Sequence, residues 1–450
     1  MKRQSGNWLI YLSGLPIILI AWYFSRSVEQ PDFSLILGCF GIFFAFYMLV
    51  WSSVKTENET KFFIGVAILT RLLMITAMPN LSDDFFRFIW DGRLACNGIN
   101  PYLYLPTELI ENQSIVDLGA GGSDLYQSLN SKGYFSVYPP VNQLVFALAA
   151  FSFPFDILGS VTIMKLTFVL AEAGTILLAY KLCVRFKLPP KTVLLYALNP
   201  LIILETYNNL HFEIVMIFFV ALAIWWLVND KPIFSAVAMG FAISTKLLPL
   251  MFLPFLIKTL GWKRSIQYCL TTGVVVLCLF SPVLNHVFLQ NFLSSVELYF
   301  RKFEFNASVY YILRWIGYQT AGYNIIQMLG PLLGGITALI IFLKALFGKV
   351  EKVRDLPMHW MLAMSIFLLL STTVHPWYLS SIIFLCIFTR YKYPILWSVL
   401  IIFTYINYSF ESYQEIFWIV AFEYIILGLF IGFELTNGNR GEVTNEVSSQ

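Results

Sequence analysis

Apolar runs of roughly 14 to 25 residues recur along this chain from Trp8 to Phe433, and a helix needs about 20 residues to cross a bilayer. No soluble surface can be assembled from such runs. Hydrophobic residues fill 58% of the 450 positions and charged residues 12%, about half the charged share of ordinary soluble domains. Within hydrocarbon every backbone polar group has to be satisfied internally, which leaves helices as the spanning element for runs of this length. The expected fold is therefore all-α: a polytopic transmembrane helical bundle of about 14 spans. It forms a single membrane domain over residues 1–433, followed by a polar cytoplasmic tail at 434–450. The start, MKRQSGNWLIYLSGLPIILIAWYF, has the charge and apolar stretch of a signal peptide but no small-x-small cleavage site before the next span, and reads as a retained first helix.

Placement of charge gives the orientation. With the N-terminus inside, the inner segments hold 19 of the 29 Lys and Arg residues, the outer segments hold 7 and the spans 3, the asymmetry of the positive-inside rule. The stretch VNQLVFALAAFSFPFDI at 141–157 is apolar enough to cross, but crossing would put the basic run KLCVRFKLPPK outside. It is also broken by Pro154 and Asp156, and reads as a juxtamembrane helix within a first outer loop over 80–159. A second outer loop is expected at 285–320. Long loops in a compact membrane protein commonly carry function.

Several chemistries have no support in the sequence. The net charge of +3 gives no footprint for nucleic acid, and the six cysteines contain no CxxC pair that would indicate zinc or a disulfide framework. Metal-binding, P-loop and nucleotide-binding glycine motifs are absent, so neither metal nor cofactor is expected.

The stretch LSDDFFRFIWDGRLACNGINPYLYLP, Leu81 to Pro106, is the most informative. Continued as a helix it sets Asp84, Arg87 and Asp91 on one face, with Phe85, Phe88, Ile89 and Trp90 supplying apolar surface for an interfacial position. Capping of that helix by Ser82 and Asp83 is the plain structural reading. Among charges within spans, Lys165 begins its span and can reach the headgroups, Lys246 lies near an outer end, and Arg71 can serve either a buried carboxylate or a phosphate.

In order, the segment carries an acidic pair Asp83-Asp84, an aromatic-Arg-aromatic element Phe86-Arg87-Phe88, the tetrad Trp90-Asp91-Gly92-Arg93, and the turn Gly98-Ile99-Asn100-Pro101-Tyr102. This resembles the first outer loop of the GT-C superfamily of integral-membrane glycosyltransferases, especially the bacterial polyprenol-phosphate-mannose-dependent mannosyltransferases and their GT87-like relatives. Arg71, Tyr138-Pro139-Pro140, Asn199-Pro200-Leu201 with His211, Thr245-Lys246 with Pro249, Phe305-Asn306 with Ser308, and His375-Pro376-Trp377-Tyr378 extend the resemblance along most of the chain. One departure is Glu213, where the family usually has Asp two positions after the histidine.

The resemblance implies a GT-C-like membrane module with juxtamembrane helices in the first outer loop, and an inverting hexosyltransferase with an acidic base from that loop. The sugar, mannose as first expectation, comes from a polyprenyl-phosphate carrier. The acceptor is a glycolipid, a polysaccharide or a protein. Asp84 is the favoured base and Asp83 the second. Arg87, Arg93, Lys246 and Arg71 are candidates for the donor phosphate. Asp91, Asn100, Tyr102, Tyr138, His211 and His375 are candidates for the sugar or acceptor site. The implied location is the bacterial inner membrane, with the site facing outside. A lipid-linked oligosaccharide flippase or polysaccharide transporter, and an inactive scaffold subunit, are the competing functions.

Overall fold

Residues 9–111 and 122–447 are described in this computed structural model, and among them there are helices and turns but no β-strand. The charged N-terminal start, residues 112–121 of the first outer loop and the last three residues of the polar tail lie outside the described residues.

Six helical stretches are long and apolar enough to cross a membrane: Ile10–Ser27, Phe33–Ser53, Ile157–Arg185, Ile326–Phe347, Val353–Leu370 and Phe417–Asn437. The remaining apolar segments are shorter helices, so the expected count of about 14 full spans is not what these elements display. The physical reason is local. Pro200, Pro249, Pro254, Pro376 and Pro394 start or interrupt helices because proline lacks an amide hydrogen. Such broken backbone is tolerated at membrane depth where protein surrounds it, and all of Pro200–Asn209 is buried.

We label the helices used below in chain order. Helix α1 spans Gly14–Ser27, α2 Phe33–Ser53, α3 Glu57–Leu73, α4 Phe85–Cys96, α5 Pro140–Ser152 and α6 Ile157–Arg185. Then come α7 Pro200–Asn209, α8 Glu213–Val228, α9 Val309–Ala321, α10 Ile326–Phe347, α11 Leu356–Leu370 and α12 Phe417–Val447. The last helix thus continues past the expected end of the membrane domain at Phe433.

Helix α3 starts with a reciprocal cap: the Thr56 hydroxyl accepts from the Glu59 amide, and the Glu59 carboxylate accepts from the Thr56 amide at 2.9 Å. Its other end is fixed by Arg71. That guanidinium donates to both Glu172 oxygens of α6 at 2.7 and 2.8 Å, and to the carbonyls of Ala67 and Ala197. Neither charged side chain is exposed. Lys165 corrects the expectation of a side chain reaching the headgroups. It is buried, and its ammonium donates to the carbonyls of Met74 and Ala77 at 3.3 and 2.7 Å.

Helix α4 is enclosed by protein and does not present its charges to water. Residues Arg87 to Leu94 are all buried, and the helix packs against α5. Gly92 permits this approach: a Cβ there would lie 2.2 Å from the Phe146 carbonyl oxygen. The helix ends in a Schellman turn, with Ile99 N–H bonded to Leu94 and Gly98 N–H to Ala95. Gly98, at φ +74°, supplies the left-handed residue that the turn requires. Helix α5 keeps Leu144, Leu148 and Phe151 exposed.

Candidate active site

Asp84 is the residue that precedes α4, and its side chain makes no capping bond. Ser82 takes a local amide instead, accepting from Asp84 N–H at 3.2 Å. The carboxylate is therefore available elsewhere. It is directed into a cavity of about 540 Å³ lined by Asp83, Asp84, Arg87, Asn130, Tyr138, Glu304, His375 and Trp377, among others. The Asn130 amide nitrogen donates to Oδ1 of both Asp83 and Asp84, each at 2.7 Å. Burial raises the Asp84 carboxyl from its ordinary value, the Asp83 charge adds to this, and the Asn130 bond opposes it.

Behind this pair lies a buried polar network. Arg87 Nε donates to Asp91 at 2.8 Å, and its Nη1 donates to the carbonyls of Ser131 and Tyr134 at 3.0 and 2.8 Å. Asp91 also accepts from Ser136 at 2.5 Å and from Gln143 of α5 at 3.0 Å. The helical spacing thus brings Arg87 and Asp91 together, while Asp84 turns away from them into the cavity. Arg87 Nη2 is buried without a hydrogen-bond partner among the described residues, and Arg87 lines the cavity.

Part of the lining is aromatic. Phe305, His375, Trp377 and His211 form a column, with successive ring centroids 4.6, 4.4 and 3.9 Å apart. His211 Nε2 lies 3.5 Å from Asp84 Oδ2. Burial, with Lys246 and His375 nearby, holds His211 well below the usual imidazole value, and burial takes His375 down to about 3. Lys246 pairs with Glu213 and lies 4.9 Å over the Tyr378 ring. Glu205 does not face the cavity directly; it accepts from Tyr405, a lining residue, at 2.9 Å and from Asn209 at 2.5 Å.

Several expected site residues lie elsewhere. Asn100 donates to the Val283 carbonyl, and the buried Tyr102 donates to the Tyr138 carbonyl and packs on Phe288. They join the segment after α4 to residues 283–292 and do not line the cavity. Asp91 sits behind the wall. Arg93 is buried in α4, with Nε and Nη1 lacking a partner among the described residues. Arg71 is committed to Glu172, the buried-carboxylate alternative. Asn130 and Glu304 were not singled out by sequence: they belong to no periodic face or spaced motif, and only folding brings them to the acidic pair.

A family profile described as alpha-(1->6)-mannopyranosyltransferase, N-terminal domain, matches residues 13–261, more than half of the chain. The chain belongs to this mannopyranosyltransferase family. It is accordingly a membrane glycosyltransferase that transfers mannose. No curated protein matches it. The mannosyltransferase match takes in the acidic pair, Asn130, Tyr138, His211 and Lys246, while Glu304, His375, Trp377 and Tyr405 come from beyond it.

Proposed function

We propose that this mannosyltransferase takes mannose from a polyprenyl-phosphate carrier and transfers it, with inversion, to a hydroxyl of an extracytoplasmic glycan acceptor, Asp84 acting as base. The carrying observation is the setting of Asp84: a carboxylate free of capping duty, raised by burial, in a polar cavity next to an apolar groove. The groove has a volume of about 870 Å³ between α9 and α12. Along α12 it runs from Phe417 to Ile431, roughly 21 Å at the helical rise. Arg314 stands in its lining, paired with Glu304 of the cavity and 4.8 Å from the Phe417 ring. An amphiphile with a long apolar chain and an anionic head suits that sequence of surfaces.

In the reaction, the acceptor oxygen bonds to the anomeric carbon as its proton passes to Asp84. The bond from the anomeric carbon to the phosphate oxygen breaks, and its electron pair leaves with the phosphate. A phosphate leaving group needs no general acid, but its charge requires nearby donors. Arg87, through its unpartnered Nη2, is the first candidate, and Arg314 and Lys246 are further ones. The wider distribution of basic residues supports a cavity facing outward.

The test is transfer by purified full-length protein in lipid nanodiscs, with EDTA present and labelled mannose on a polyprenyl phosphate. Transfer with an anomeric configuration opposite to the donor's is expected. Turnover of a nucleotide-activated mannose without lipid carrier would overturn the donor assignment. Translocation of intact labelled lipid without transfer would favour a transporter.

A further inference from the structure

The two carboxylates ahead of α4 share one hydrogen-bond donor, and that donor stands on a loop with an anchor of its own. A primary amide has two hydrogens on its nitrogen, and Asn130 directs one to Oδ1 of Asp83 and the other to Oδ1 of Asp84, both at 2.7 Å. The next residue, Ser131, is gripped from behind through its carbonyl by Arg87, which also holds the Tyr134 carbonyl. Arg87 is fixed by Asp91, and Asp91 by Ser136 and by Gln143 of α5. A continuous chain of hydrogen bonds, buried at Asp91 and part-buried where it meets the loop, therefore runs from α5 to the loop that carries Asn130.

We propose that Asn130 is a positioning residue for mannosyl transfer: held by the Arg87-anchored loop, it engages Oδ1 of both carboxylates and presents Oδ2 of Asp84 as the atom that receives the acceptor's proton. This rests on Asp84 being the base. Oδ2 is the oxygen that faces His211, at 3.5 Å. Without Asn130 the Asp84 carboxylate loses the donor that holds its Oδ1.

The electrostatics agree with the geometry. Asp84 is faced by Asp83 on its own segment, by His211 after α7, by Lys246 with its partner Glu213, and by the Tyr408 phenol. Burial and the Asp83 charge favour the protonated form, while Asn130 and Lys246 favour the ionised form. An amide N–H donor to a carboxylate stabilises the ionised state more than the protonated one. Its removal leaves Asp84 protonated to higher pH, and so useless as a base over that interval.

The experiment measures kcat and donor KM against pH for full-length Asn130→Leu, Asn130→Gln and Asn130→Asp in nanodiscs, with Asp84→Asn alongside. For Asn130→Leu the acid limb of kcat moves up by about one pH unit and the rate at neutral pH falls about tenfold, as loss of a hydrogen bond to a charged group implies. Donor KM stays nearly constant. Asn130→Gln regains part of the rate, and Asn130→Asp, a third carboxylate of nearly the same size, shifts the limb further still. The Asp variant keeps the test open where the Leu variant fails to fold. An unmoved acid limb overturns the proposal, whether kcat is normal or only donor KM has risen, the latter marking Asn130 as a substrate contact. Normal turnover by Asp84→Asn would strike the base assignment itself, whereas an inactive Asp84→Asn with an unmoved Asn130→Leu profile would strike only the positioning role.

Discussion

Arg71 with Glu172 and Asp84 with its neighbours are both charge constellations inside an apolar bundle, yet they are built on opposite principles. In the first, the guanidinium meets both carboxylate oxygens and two backbone carbonyls, and both side chains are fully enclosed. In the second, one wall of a cavity carries Asp84, and several polar atoms lack a partner among the described residues: Arg87 Nη2, His211 Nε2, Glu213 Oε2 and His375 Nδ1. Buried polar groups are normally satisfied, and a concentration of unsatisfied ones beside a cavity marks a place where a ligand completes the bonding. Completeness separates scaffold from site here, since the residue types are similar.

The contrast predicts opposite phenotypes. The largest effect should come from Asp84→Asn, which keeps size and cannot take a proton: initial rates fall about 10²- to 10⁴-fold, the range of general-base loss, while thermal unfolding of the purified protein is little changed. Equal losses of stability and rate would erase the distinction between the two constellations. Arg71→Met should do the reverse and destabilise the bundle by about 3–5 kcal/mol, since it strands the Glu172 charge. Unfolding in denaturant would show it, and Arg71→Met with Glu172→Leu should recover much of the loss. A single variant as stable as the parent would mean that the pair contributes nothing to the scaffold.

The smallest effect sharpens the boundary between cavity and groove. Arg314→Ala should raise donor KM about tenfold with kcat nearly kept, as expected for loss of one charge-assisted contact to phosphate. An unchanged KM for a long-chain donor would leave the groove as ordinary lipid-facing surface.

The spacing of Trp90-Asp91-Gly92-Arg93 marked a special helix, but its purpose lay in tertiary contacts. Gly92 is there because the backbone of α5 passes against it, and Asp91 with Arg87 secures a loop some 40 residues later in the chain. Asn100 and Tyr102 belong to the same recognisable turn, yet they join the segment after α4 to residues 283–292 and make no part of the cavity wall. A motif shows that residues matter together; it does not distinguish contact with substrate from contact with the residues that hold the site.

The sequence by itself determined the membrane class, the helical fold, the acidic pair and the mannosyltransferase kinship. Each of these is written in local quantities: the length of apolar runs, the density of charge, and short ordered motifs. Tertiary structure alone decided which charges are satisfied and which are left open. It carried Asn130 to the acidic pair, buried α4 beneath α5, closed Arg71 onto Glu172, and set Glu304 between the polar cavity and the apolar groove. The physical reason is that desolvation and hydrogen bonding depend on neighbours in space. In this chain those neighbours are often separated by 40 to 200 residues, beyond the reach of any periodicity or motif.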